Sequence, residues 1–156
     1  MSGTVDSIYL ASTHGEPQRQ FGAVKLTLGV GLEGDRYANA NAGDADADAV
    51  VSLIETEEVE RFNNLTGLSI TAADTGRNIA TRGIRLNDLV GKQFRIGDVL
   101  LEGFELCEPC ATLGKRLTTD AVTVPEVVAA FTHRAGVRAF VRGTGDIAPG
   151  SSIDEA

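Results

Sequence analysis

Short runs of aliphatic and β-branched residues, each cut off by a turn signal, constrain this fold more than any other feature of the chain. They fall at residues 5–10, 23–28, 50–54, 94–96, 99–104 and 137–141. Apolar and polar residues alternate most clearly in Val24-Lys25-Leu26-Thr27-Leu28 and in Val137-Arg138-Ala139-Phe140-Val141-Arg142. A period of two sends successive side chains to opposite faces, so these runs predict half-buried strands. The 18 glycines supply the turns and bulges that a curved sheet needs. Many short strands of this kind predict a mainly β protein, a barrel or a sandwich. With six Phe, two Tyr and no Trp, its core must be built from aliphatic side chains.

A length of 156 residues suits a single domain spanning 1–156. Two short helices are expected around the sheet. One runs over 56–64, with Thr56 as N-cap, glutamates at the positive end of its dipole and Gly67 as its stop. The other opens at Thr123-Val124-Pro125-Glu126, a capping box with Pro in the first turn. It carries His133 and Arg134 in its last turn and ends at Gly136. The acidic tail, 151–156, is expected to fray.

The net charge is −8, which argues against a general nucleic-acid-binding surface. No apolar run reaches the ~18–20 residues of a membrane span. The first residues lack the basic and apolar regions of a secretory signal, so a cytoplasmic location is expected. The charge is uneven along the chain. Between residues 111 and 142, Lys115, Arg116, Arg134, Arg138 and Arg142 face only Asp120 and Glu126. A local field of that sign can hold an anion despite the overall balance.

Several motifs compete for a functional reading. An acidic loop over about 39–49 carries Asp44, Asp46 and Asp48, with Glu55 at the spacing of an EF-hand calcium loop. Ala49 stands where that loop needs its glycine, so a solvated loop is the better reading. Gly31-Leu32-Glu33-Gly34-Asp35-Arg36 is glycine-rich but lacks the spacing of a phosphate loop. His133 suits a helix C-terminus, where an imidazole meets the last carbonyls. Cys107-Glu108-Pro109-Cys110 comes after a strand, and Pro109 stiffens the approach to Cys110. Four chemistries fit the pair: half of a structural zinc site, a thioredoxin-like redox couple, buried inert thiols, or a working thiol that binds a soft metal or carries sulfur. Lys115 and Arg116 favour a thiolate there, and Glu108 opposes it.

Taken in order, these segments resemble the MOSC domain, the module named for the C-terminal part of molybdenum cofactor sulfurases. The resemblance is carried by residues 31–36, 51–55, 77–83, 86–91, 96–98, 107–110 and 133–139. It implies a β-barrel with a few short peripheral helices and a pterin-bound molybdenum cofactor. It also implies Cys110 as the metal ligand or sulfur carrier, with Cys107 as a supporting thiol. Arg77-Asn78-Ile79 matches a segment that contacts the phosphate end of the cofactor in related reductases. Arg36, Thr81, Arg82, His133, Arg134 and Arg138 complete the implied cofactor-binding set, since guanidinium groups and turn amides suit an anion. The resemblance points to reduction of N-oxygenated substrates or to sulfur transfer, served by a separate electron or sulfur donor protein. A non-catalytic cofactor carrier and a cofactor-free interaction barrel are the alternatives. No pyridoxal phosphate site is expected.

Overall fold

The alternating segments close on themselves into a cylinder. In the computed structural model, residues 2–41 and 48–156 are described. Their strands are β1 Ser2–Leu10, β2 Arg19–Phe21, β3 Val24–Thr27, β4 Gly31–Leu32, β5 Val50–Glu55, β6 Ile79–Arg82, β7 Gln93–Ile96, β8 Val99–Leu106, β9 Val137–Val141, β10 Gly145–Ile147 and β11 Ser152–Glu155. The helices are α1 Arg36–Asn41, α2 Thr56–Thr66, α3 Ala111–Leu117 and α4 Val124–Phe131. Seven strands, in the order β11-β7-β8-β9-β5-β6-β1, form a barrel that the β1–β11 pairing closes. β2 extends β1, while β10, β3 and β4 make a separate three-stranded sheet. The mainly β barrel with few short helices is thus the observed fold. Each of the six apolar runs forms a strand.

β5 and β6 lie parallel, which demands a crossover, and α2 lies within it. Period two explains how these strands serve two cores. Leu53 and Ile79 point into the barrel beside Ile8, Phe94, Leu101 and Val137. Their neighbours Ile54 and Ala80 point outward, under Phe62 of α2 and Val127 and Phe131 of α4. The rings of Phe62 and Phe131 stack 4.8 Å apart in this outer layer. Helices therefore cover one wall of the barrel, and the strands of that wall are buried on both faces.

Several expectations change. α2 is capped by Glu55, not Thr56, whose hydroxyl donates to Asp6 Oδ2 at 3.1 Å. α4 has the expected capping box on Thr123 and Glu126 but ends at Phe131. His133 lies beyond it in the left-handed region, at φ 61°. The helices α1 and α3 were not anticipated. The tail expected to fray is instead β11, with Ile153 fully buried and paired to Gly3 on one side and Ile96 on the other. Two strand edges, left open by β1 and β7, recruit it. The candidate calcium loop lies largely outside the described residues; Asp48 pairs with Arg142 at 3.0 Å.

Gly136 shows how tightly the loop before β9 is seated. Its φ is 96°, and a Cβ there would lie 1.8 Å from the Leu53 carbonyl oxygen. Gly136→Ala is expected to lower stability by at least about 2 kcal/mol, from left-handed strain and the clash together. Gly67→Ala, equally left-handed but in open space, should cost only about 1 kcal/mol. Urea denaturation of both variants checks the difference.

Candidate functional site

The cysteine loop spans the gap between a barrel strand and a helix. Cys107 is buried at the end of β8, where its N–H donates to Gly136 O at 2.8 Å. Cys110 is exposed and takes the N-cap position of α3 with extended backbone. The backbone N–H groups of Thr112 and Leu113 and the Thr112 hydroxyl favour its anionic form, although no capping hydrogen bond closes on the sulfur. These groups hold the Cys110 thiol below its ordinary pKa, led by the Leu113 amide, with Arg77 assisting. Burial pushes the Cys107 thiol up, against the pull of Arg77 and Arg138. The two thiols are therefore chemically unlike.

The sequence left Glu108 opposed to a thiolate. The fold removes that opposition by drawing the carboxylate toward the loop after α4. Glu108 Oε1 accepts from the His133 backbone N–H at 2.9 Å, and Oε2 lies 3.0 Å from His133 Nδ1. His133 thus braces the cysteine loop from outside.

Both sulfur-bearing residues line a cavity of about 510 Å³, together with Arg36, Arg77, Arg116 and Arg138. Arg77 is half-buried in the cavity wall. Its Nε donates to Ala135 O at 2.9 Å, Nη1 to Thr75 O at 2.9 Å and Nη2 to Cys107 O at 3.4 Å. Among the described residues no carboxylate pairs with it. Burial lowers its pKa, but a guanidinium keeps its charge at physiological pH. Arg138 pairs with Glu105 at 2.9 Å, and Arg36 with Asp35 at 3.3 Å. Arg36 also lies over the Tyr37 ring, 4.7 Å from its centroid, at the cavity rim.

Of the residues the sequence suggested, the cavity gathers Cys110, Cys107, Arg36, Arg77, Asn78 and Arg138. Asn78 lines it but spends its amide on the fold: Nδ2 donates to Tyr9 O at 3.2 Å, and Oδ1 accepts from Ser52 Oγ at 3.2 Å. The other four suggested residues do not line it. Thr81 and Arg82 lie three and four residues along β6, roughly 10 and 13 Å away. The Thr81 hydroxyl is buried near Ile54 O, whereas Arg82 pairs outside with Asp6 and Glu60. Arg134 binds Glu58 at 3.2 Å over α2, and His133 holds Glu108. Neither imidazole of the chain joins the thiols at the cavity, and among the described residues no three potential ligands gather for a metal. A zinc site built from protein ligands therefore has no support in this arrangement.

Sequence reasoning passed over Tyr37, Thr112 and Arg116 as site residues. Arg116 was visible as part of a basic stretch, but its reach across to Gly76 is a tertiary contact. Thr112 signals itself only once Cys110 is known to cap a helix.

The chain matches the MOSC domain family over residues 13–154 and belongs to that family. MOSC domains are generally associated with molybdenum cofactor binding. Among solved structures, the YUAD protein from Bacillus subtilis superposes with a TM-score of 0.80 at 18% identity, covering 98% of this chain and 94% of that one. YiiM from Geobacillus stearothermophilus gives 0.74 at 17% identity, over 99% and 75% of the two chains. YiiM from Escherichia coli gives 0.68 at 20% identity, over 100% and 70%. At these identities the likeness establishes a shared fold. Comparison with curated protein sequences gives no significant match.

The unlike thiols make a direct prediction. Iodoacetamide at pH 7 should alkylate Cys110 first, at least about tenfold faster than Cys107. The Cys110 rate should level off below the pH expected of a free thiol, because its thiolate persists to lower pH. Cys107 should react only after denaturation. Peptide mass spectrometry across a pH series reads both.

Proposed function

We propose that the arginine-lined cavity binds the molybdenum cofactor, with the Cys110 sulfur as the protein's ligand to the metal. The observation that carries this reading is the meeting, in one cavity, of an exposed thiol held toward its anionic form and a half-buried guanidinium with no described carboxylate partner. In a chain of net charge −8, a cation left without an acid favours an anionic ligand. The chemistry of the donor set fits: a thiolate is a soft ligand, and guanidinium groups suit the cofactor's phosphate end. A volume of about 510 Å³ falls within the usual range for small-molecule and cofactor sites.

Each residue of the chain then has a role. Arg77, held by three carbonyls, presents a fixed positive charge without having to reorganise on binding. Arg138 adds charge at the edge while Glu105 fixes its direction. The Leu113 and Thr112 amides and the Thr112 hydroxyl favour the thiolate form of Cys110. Tyr37 and Arg36 wall the cavity rim. When bound, the cofactor would supply a metal able to take an oxygen atom from an N-oxide or hydroxylamine. Turnover in this reading uses a separate electron-donor protein. The exposure of Cys110 favours a second reading, in which its sulfur is reached by a donor protein and carries sulfur to the cofactor.

Protein purified from a host that makes the cofactor should contain about one molybdenum per chain and release a fluorescent pterin on oxidation. Cys110→Ser should lose most of the metal, while Cys107→Ser should retain it. Arg77→Ala should lose the pterin as well as the metal. Elemental analysis and pterin fluorescence measure both, with circular dichroism confirming that each variant folds. Equal loss from the two cysteine variants, or no pterin in the unaltered protein, would overturn the reading.

A further inference from the structure

The helix layer of the barrel lies over β5 and β6. The outward face of β8 and β9 carries a set of aromatic and charged side chains instead. Val99, Leu101, Val137, Ala139 and Val141 point into the barrel core, so period two turns Glu102, Arg138, Phe140 and Arg142 outward. Past the register shift between Gly103 and Glu105, Phe104 and Glu105 both join this side, where they meet Phe140 and Arg138.

Phe104 and Phe140 stack 4.0 Å apart with 11° between their planes. Both are half-buried, and neither belongs to the barrel core or to the layer under the helices. The chain has six Phe. Phe62, Phe94 and Phe131 fill the cores, whereas these two are spent on the outer wall. An ion pair flanks the rings at each end. Arg142 lies over the Phe140 ring, 4.6 Å from its centroid, and pairs with Glu102 at 3.4 Å. Arg138 pairs with Glu105 at 2.9 Å. The four charged side chains stay between 32% and 50% exposed, so each can take a second partner. Both arginines stand on β9 and both glutamates on β8, with the rings between the two pairs.

We propose that this face binds a second copy of the chain, about a two-fold axis that runs between β8 and β9 along the strands. Such an axis swaps the two columns, so β9 of one copy lies over β8 of the other. The arginines of each copy then meet the glutamates of its partner at both ends, and the aromatic pairs meet in the middle. An aromatic centre within a polar rim that includes arginine is the make-up of a protein interface. With a net charge of −8 each, two copies repel at a distance. Column exchange sets opposite charges against each other, and this selects one orientation. A foreign partner would have to supply that complement, whereas this chain carries it on the same face. The face also adjoins the site. Arg138 lines the cavity, and so does Val50, which neighbours Phe140 across the β5–β9 ladder. The second copy therefore stands beside the cavity rim. None of these contacts involves the thiols, so the pairing is independent of the cofactor reading.

Sedimentation velocity on the purified chain should give twice the mass of one copy. Phe140→Asp should raise the dissociation constant of the dimer at least about a hundredfold. Leu65→Asp, at an exposed leucine of α2, should leave it unchanged. Two double variants make the face uniform in charge: Arg138→Glu with Arg142→Glu is acidic, and Glu102→Arg with Glu105→Arg is basic. Exposed ion pairs contribute little to folding, so both should fold, which circular dichroism checks. Each alone should sediment as a single chain. Mixed in equal amounts, they should form a dimer with one copy of each, which native mass spectrometry resolves. A single-chain mass for the unaltered protein overturns the proposal and leaves the face to a different partner. So does a dimer that survives Phe140→Asp, a pair of folded charge variants that stay apart when mixed, or a dimer lost in Leu65→Asp. If a charge variant fails to fold, the contrast between Phe140→Asp and Leu65→Asp still decides.

Discussion

The guanidinium of Arg77 is the tie on which the site depends. Its three acceptors are the carbonyls of Thr75, Ala135 and Cys107. They belong to the turn before β6, the loop after α4 and the first residue of the cysteine loop. Ala135 lies 58 residues from Arg77 in the chain. A carbonyl turned inward without a donor is costly, so each segment is favoured in the position where Arg77 meets it. The same bonds leave the charge in place. Carbonyl dipoles satisfy N–H groups but do not cancel a full positive charge, and that charge forms the cavity wall.

An acidic protein can keep such a cation unpaired only if the fold directs nearby acids elsewhere. Glu108, within the cysteine loop itself, is held by His133. Glu105 is taken by Arg138, and Asp74 is engaged in the cap of its own turn. Asp35 bonds the Ala11 N–H and Arg36. On the outer surface the allocation differs: Arg82, Arg134 and Arg142 each meet a carboxylate. Exposed pairs of that kind contribute little to stability. Of the four arginines that line the cavity, Arg77 and Arg116 are the two for which the described residues offer no ion-paired carboxylate.

Barrel closure gives these local arrangements their rigidity. β9 lies between β5 and β8, so the loop that enters it, through Ala135 and Gly136, is fixed against both the Leu53 carbonyl and the Cys107 amide. Strand periodicity made much of this legible beforehand: the six apolar runs became strands, and Thr123 and Glu126 formed their box. β11 escaped notice because Ser152 to Glu155 carries one apolar residue, Ile153, and gains its burial only from two neighbouring strands. The short helices α1 and α3 escaped because six or seven residues give too little periodicity to read. Cys110 and Arg77 stood out through the family resemblance, and Arg36 and Arg138 also as charge. Thr81, Arg82, His133 and Arg134 matched a pattern along the chain, yet they face away from the cavity.

The sequence by itself determined the strand pattern, the overall acidity, and a stiffened two-thiol loop at the end of a strand. These properties rest on neighbours within a few residues, where alternation, capping and proline geometry act. Tertiary structure decided which thiol is exposed, which arginines lack acids, and that Arg116 lies across Gly76. Those outcomes depend on segments far apart in the chain that meet only after the barrel closes. A charge acts through distance in space, and linear order carries no record of that distance.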